Sequence, residues 1–172
     1  MHTSRTEQRS ATASADAPVA ACYKPGMPRE ISSGGVLVRR MRGRWWLAAI
    51  RPAGKPPGVW ALPKGGVDAG EDEAATALRE VAEETGLAGE LAGKLGDVRY
   101  VYTRGGRRIF KIVSFFLLTH RSGRIGKLSA EHTHEVAEAR WLPLDDAPRL
   151  LAYRGERDMA ARAASVLGDQ AL

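Results

Sequence analysis

The chain has 172 residues, 44% of them apolar, and carries 26 Lys and Arg against 20 Asp and Glu, a formal charge of +6. That is enough length and apolar content for one domain with a sizeable core. A single cysteine, Cys22, excludes an intramolecular disulfide and fits a reducing compartment. No apolar run is long enough to cross a bilayer, so the sequence reads as soluble and cytoplasmic, with no membrane partner.

Residues 1–29 are rich in Ser, Thr, Ala and Pro, lack apolar periodicity, and read as a flexible N-terminal arm. The domain is expected over 30–172. Ile31 to Val38 and Trp45 to Ile50 read as strands, joined by the basic turn Arg39 to Arg44. Four arginines on that turn suit either a solvated hairpin tip or contact with a polyanion. Arg51 to Gly58 is a proline- and glycine-rich loop. It leads into Val59-Trp60-Ala61-Leu62-Pro63-Lys64-Gly65, where alternation predicts a short strand that delivers Lys64 to the following glycines.

A helix is expected from Asp72, a suitable N-cap, to Gly86, a suitable left-handed C-cap. One side of it carries Glu73, Glu80, Glu83 and Glu84, and the other Ala74, Ala77, Leu78, Val81 and Ala82. Glu80 and Glu84 are a like-charged i,i+4 pair, which destabilises an isolated helix. An acidic face without interleaved bases calls for a positive partner, and a divalent cation is the economical one.

Val98 to Tyr102 alternates as a strand, Gly105-Gly106 marks a turn, and Ile109 to Leu118 reads as a long buried strand. A polar loop follows from His120 to His134. Ala139 to Leu142 makes a last short strand, and Asp145 to Tyr153 and Glu156 to Leu167 read as helices. This order is α+β.

Gly65, Glu71, Arg79-Glu80-Val81, Glu83-Glu84 and Gly86-Leu87 fix nine positions over 23 residues. In that spacing the chain resembles the Nudix hydrolases. The resemblance implies an α/β/α sandwich with a mixed sheet and Mg2+- or Mn2+-dependent cleavage of a phosphoanhydride. It also implies metal ligation by Glu80 and Glu84, with Glu83 as a further ligand or a base and a carbonyl contribution at Gly65. Glu71 and Arg79 would hold these carboxylates in place. One more carboxylate is implied before the Trp141 strand, from Glu131, Glu135 or Glu138, with Glu135 closest to the family position.

The Pro63-Lys64-Gly65, Arg99 to Tyr102 and Trp141 to Ala147 segments are similar to bacterial diadenosine polyphosphate hydrolases. Such a substrate would be met by Lys64, Arg108 and Lys111 at its phosphates and by Tyr100 or Tyr102 at an adenine. The same tyrosines also suit a strand's core face. Alternatives within the family are oxidised nucleoside triphosphates, ADP-ribose and diphosphoinositol polyphosphates, and outside catalysis a nucleotide-sensing domain. No specific nucleic-acid partner is expected, and the chain reads as a monomer or homodimer.

Overall fold

The computed structural model describes residues 23–169, so the arm expected at 1–29 lies mostly outside the described residues. Its described end is packed: the Tyr23 ring lies 5.2 Å from that of Phe110, and Arg29 stacks over Tyr23.

Strands β1 (Arg29–Met41) and β2 (Arg44–Pro52) form a hairpin closed by Arg42 and Gly43, with φ of 52° and 74°. Two positive φ values match the twist of a tight hairpin, so the basic turn is shorter than the sequence suggested. The short β3 (Lys64–Gly66) pairs antiparallel with the start of β1, from Ser32 to Gly34. Helix α1 (Glu73–Thr85) follows, capped by Asp72 Oδ1, which accepts from Ala75 N at 2.7 Å, and by Gly86 in the left-handed conformation.

Strands β4 (Leu87–Arg104) and β5 (Arg107–Gly123) then form a long ribbon. Last come β6 (Val136–Pro143), the single turn α2 (Ala147–Leu150) and α3 (Arg154–Asp169). The sheet order is β4-β5-β1-β2-β6, with β3 beside β1 and with β1 and β5 parallel.

Several boundaries depart from the sequence reading; β5, for one, runs to Gly123, through the first four residues of the polar loop expected from His120. β4 begins eleven residues before Val98, because its register shifts at Ala88/Gly89, Leu91/Gly93 and Lys94/Gly96. Glycine-marked bulges disguise the alternation there without ending the strand. The helix expected from Asp145 to Tyr153 is only four residues long: Leu151 is extended and bridges to Trp60.

Alternate side chains of the central strands bury on opposite faces. Leu37, Ala48, Phe116 and Leu118 meet Ala77 and Val81 of α1. Val36, Val38, Leu47, Val113, Phe115 and Leu117 meet Leu151, Met159, Ala160, Ala163 and Leu167. A strand buried on both faces reads as one continuous apolar run, which explains IFKIVSFFLL. The result is the expected α/β/α sandwich with a mixed sheet. Among the described residues no helix is long and apolar enough to cross a membrane.

Helix α1 crosses β1 where Gly35 leaves room for it. A Cβ at Gly35 would lie 2.7 Å from Leu118 Cδ1 and 2.8 Å from Val81 Cγ2. Gly35→Ala is therefore expected to cost ~1–3 kcal/mol, the range for overpacking a core. Urea unfolding checks this, and an unchanged midpoint would contradict the tight crossing.

Candidate active site

β1 and β2 pair only near their hairpin end, from Val38 to Met41. Nearer the start of β1 that side is taken by β3, which brings residues 64–66 under α1. The helix face turned toward them is buried at Thr76, Ala77, Glu80, Val81, Glu84 and Thr85, while Ala82 is exposed. The acidic side is thus no free surface: Glu80 and Glu84 are each only 8% exposed.

Both carboxylates meet the backbone of β3. Glu84 Oε2 accepts from Lys64 N at 2.9 Å. Any Cβ at Gly65 would collide with the carboxylate of Glu80, so only glycine allows this approach. Burial is the main force on both groups. It pushes Glu84 up to about 8 against the pull of the Lys64 amide and ammonium, with the Glu80 and Glu135 charges adding to the rise. Burial likewise raises Glu80, partly offset by Arg79, with Glu83 and Glu135 again pushing upward.

Helical rotation sets Arg79 about 100° from Glu80, yet its long side chain returns to the carboxylates. Its Nε and Nη2 donate to Glu71 at 2.9 Å each, as a fork on one carboxylate. Nη1 donates to Glu80 at 2.8 Å and to Glu83 at 3.2 Å, and Nη2 also reaches Gly66 O at 3.0 Å. This bonding holds Glu71 at about 2. The pairing of Glu71 with Arg79 agrees with the sequence reading. The bonds from Arg79 to Glu80 and Glu83 place it on the acidic face, where rotation alone did not.

Of the three outer candidates, Glu135 is the one whose charge acts on both Glu80 and Glu84. Glu138 instead pairs with Arg140 at 2.6 Å and with Arg51 at 3.7 Å. The 124–135 loop also brings His132 Nε2 to 3.9 Å from Glu83 Oε1 and His134 Nε2 to 3.4 Å from Glu135 Oε1. Glu135 O accepts from Ala53 N at 2.9 Å, which ties this loop to the one after β2.

The basic and aromatic candidates lie mostly across the sheet from α1. Tyr100 pairs with Lys111 and Tyr102 with Ile109, on the face that Val98 and Val113 share with α3. Tyr102 OH donates to Glu30 Oε2 at 2.5 Å, and burial with that bond pushes the phenol up to about 12. Lys111 Nζ lies 4.0 Å from the same carboxylate. Arg108 pairs with Thr103, one position out of phase, so the register sets it on the opposite face from Tyr100, Tyr102 and Lys111.

Lys64 does not stand free to meet a phosphate. Its Nζ donates to Glu156 Oε1 at 2.7 Å and lies 5.8 Å from the Tyr153 ring centroid. Burial works against its charge, but Glu156 outweighs this and holds it above the ordinary range. Glu156 escaped the sequence reading. The signal was present: it falls in register with Met159, Ala160, Ala163 and Leu167, and an acid on an apolar stripe needs a partner.

A Nudix domain model matches residues 29–163. The chain belongs to the Nudix family. It is 40% identical over 102 residues to MutT4 of Mycobacterium tuberculosis, covering 59% of this chain but only 40% of that protein's length. An RNA pyrophosphohydrolase of Caulobacter vibrioides is 33% identical over 136 residues, 72% of this chain and 78% of that one. An asymmetrical bis(5'-nucleosyl)-tetraphosphatase of Caenorhabditis elegans is 30% identical over 122 residues, 71% of this chain and 85% of the relative. The fold also matches a C. elegans Ap4A hydrolase in a binary complex, with a TM-score of 0.60 and 25% identity over 81% of this chain and 98% of that one. Nudix hydrolases generally use divalent metals.

The residues fit such an ion in kind. Carboxylates are the donors that hard cations select, and Glu80 and Glu84 are buried with raised proton affinity. Among the described residues no three acids, imidazoles or thiols already form a cage, because Glu80 and Glu83 are turned to Arg79.

The Glu84 shift gives a prediction with a definite sign. A carboxyl group whose folded pKa lies above its unfolded value stabilises the fold below the unfolded value. That contribution is lost as pH rises through the folded one. Metal-free wild type should therefore lose stability between about pH 4.5 and 8 from this group. Glu84→Gln should escape the loss, so its melting temperature should gain on wild type as pH rises, while kcat falls at least ~100-fold. Parallel melting curves across this range would contradict the burial of Glu84.

Proposed function

We propose that this chain is a Mg2+- or Mn2+-dependent pyrophosphohydrolase of dinucleoside polyphosphates, cutting diadenosine tetraphosphate into ATP and AMP. The observation that carries the reading is the pair of buried carboxylates facing the β3 backbone, with Tyr100, Tyr102 and Lys111 grouped across the sheet. Glu80, Glu84 and Glu83, with a carbonyl at Gly65, are the donors that would hold the ion. The bound ion would neutralise phosphate oxygens and acidify water.

The chain's own residues supply the rest. Arg79, anchored on Glu71, orients Glu80 and Glu83. Glu83, Glu80 and Glu135 are the candidates to take the proton from the attacking water, and Glu135 is the most open to solvent. Water adds to one phosphorus, the P–O bond on its far side breaks, and the leaving phosphate departs with its negative charge. Lys111, near the ribbon's tyrosines, is the cation we assign to the flanking phosphates. Tyr100, half-buried on the face shared with α3, offers the stacking surface for one adenine.

A second reading, pyrophosphohydrolysis of RNA, is favoured by the RNA pyrophosphohydrolase relative, which this chain spans over 78% of its length. It uses the same carboxylates and differs in what leaves. Nucleoside triphosphates including oxidised ones, ADP-ribose and diphosphoinositol polyphosphates are further arms of one substrate panel.

Chromatography of early products from diadenosine tetraphosphate with Mg2+ is expected to give ATP and AMP in equal amounts. Activity should vanish with EDTA and return with Mg2+ or Mn2+. Two ADP per substrate would refute asymmetric cleavage. No turnover beside rapid hydrolysis of another panel member would refute the substrate while leaving the phosphoanhydride chemistry in place.

A further inference from the structure

Glu156 is only 4% exposed, and both of its oxygens are used. Oε2 accepts from Leu62 N at 2.8 Å and Oε1 from Lys64 Nζ at 2.7 Å. It stands in the first turn of α3, across the sheet from α1, yet both bonds end on the three residues that lead into Gly65. The neighbouring bond comes from the other side: Lys64 N donates to Glu84. Lys64 is thus held from two layers, its ammonium by α3 and its amide by α1.

A buried ion pair is a poor choice if stability alone is at stake. Desolvating two charges costs about as much as their attraction returns, and apolar residues of similar size are often as stable. What the pair adds is a defined position. The three positions before Gly65 carry one amide fixed by Glu156, one proline and one amide fixed by Glu84, which leaves the chain at Gly65 little freedom.

We propose that Glu156 is a positioning residue for hydrolysis, acting through Lys64 to hold the Lys64-Gly65 backbone against Glu84 and Glu80. It touches neither substrate nor ion. The inference rests on the assignment of the α1 carboxylates as the catalytic centre, so Glu84→Gln is carried beside it.

Glu156→Gln keeps an acceptor for Leu62 N and removes the charge that holds the ammonium. It is expected to lower kcat at least ~10-fold with KM changed less than ~3-fold, the pattern of a misplaced reacting geometry rather than weakened binding. In a Lys64→Met background the ammonium is already gone, and the same substitution should then change kcat less than ~2-fold. A merely structural role for Glu156 in α3 would give the same loss in both backgrounds and would overturn the proposal. So would wild-type kcat in Glu156→Gln while Glu84→Gln is inactive. If Glu84→Gln is also fully active, the catalytic assignment itself fails.

Should Glu156→Gln not fold, Lys64→Met combined with Glu156→Met replaces the pair by apolar side chains and keeps the test open. That double variant is expected to show the same kcat loss at unchanged KM, and wild-type kcat in it would overturn the proposal.

Discussion

Two carboxylates, Glu80 and Glu84, are taken out of water at the seam between α1 and β3, and the surrounding structure compensates for that burial. A buried carboxylate without a partner is costly. Here the partners are the Lys64 amide on Glu84 and the Arg79 guanidinium on Glu80. The helix can come this close because Gly35 lets it settle on β1 and Gly65 gives Glu80 its space. The fold therefore presents hard oxygen donors whose charge is not fully balanced by protein. A divalent cation together with an anionic substrate suits that deficit.

The sheet divides the work between its faces. The α1 face holds the acids, and the α3 face holds Tyr100, Tyr102, Lys111 and the Lys64–Glu156 pair. The link between them is the segment 62–66, where β3 displaces β2 from the side of β1. In the proposed reaction the two faces meet on one substrate, with phosphates at the acids and a nucleoside on the ribbon. Lys64 belongs to both by its backbone and its side chain.

Much of this was legible in the sequence. Helix α1 was bounded correctly because Asp72 and Gly86 are local cap signals whose chemistry is settled within one turn. The Glu71–Arg79 pairing followed from the family spacing. The Gly105-Gly106 turn was plain from composition. What did not show depends on chain segments far apart. Periodicity sets Glu84 opposite the apolar stripe and cannot reveal that β3 covers it. The sequence offers Lys64 to a phosphate and gives no sign of its partner Glu156, 92 residues away. The early half of β4 was hidden by its glycine bulges. Arg108 was grouped with Lys111, but strand register, which alternates faces, separates them.

We place the proposed divalent cation site at the buried acids of α1. Titration of metal-free protein with Mn2+, followed by the loss of the free-ion paramagnetic resonance signal, tests it most directly. Saturable binding to wild type is expected, with at least ~10-fold weaker binding to both Glu80→Gln and Glu84→Gln, since each removes one charged donor. Wild-type affinity in both variants, with the fold intact, would contradict it.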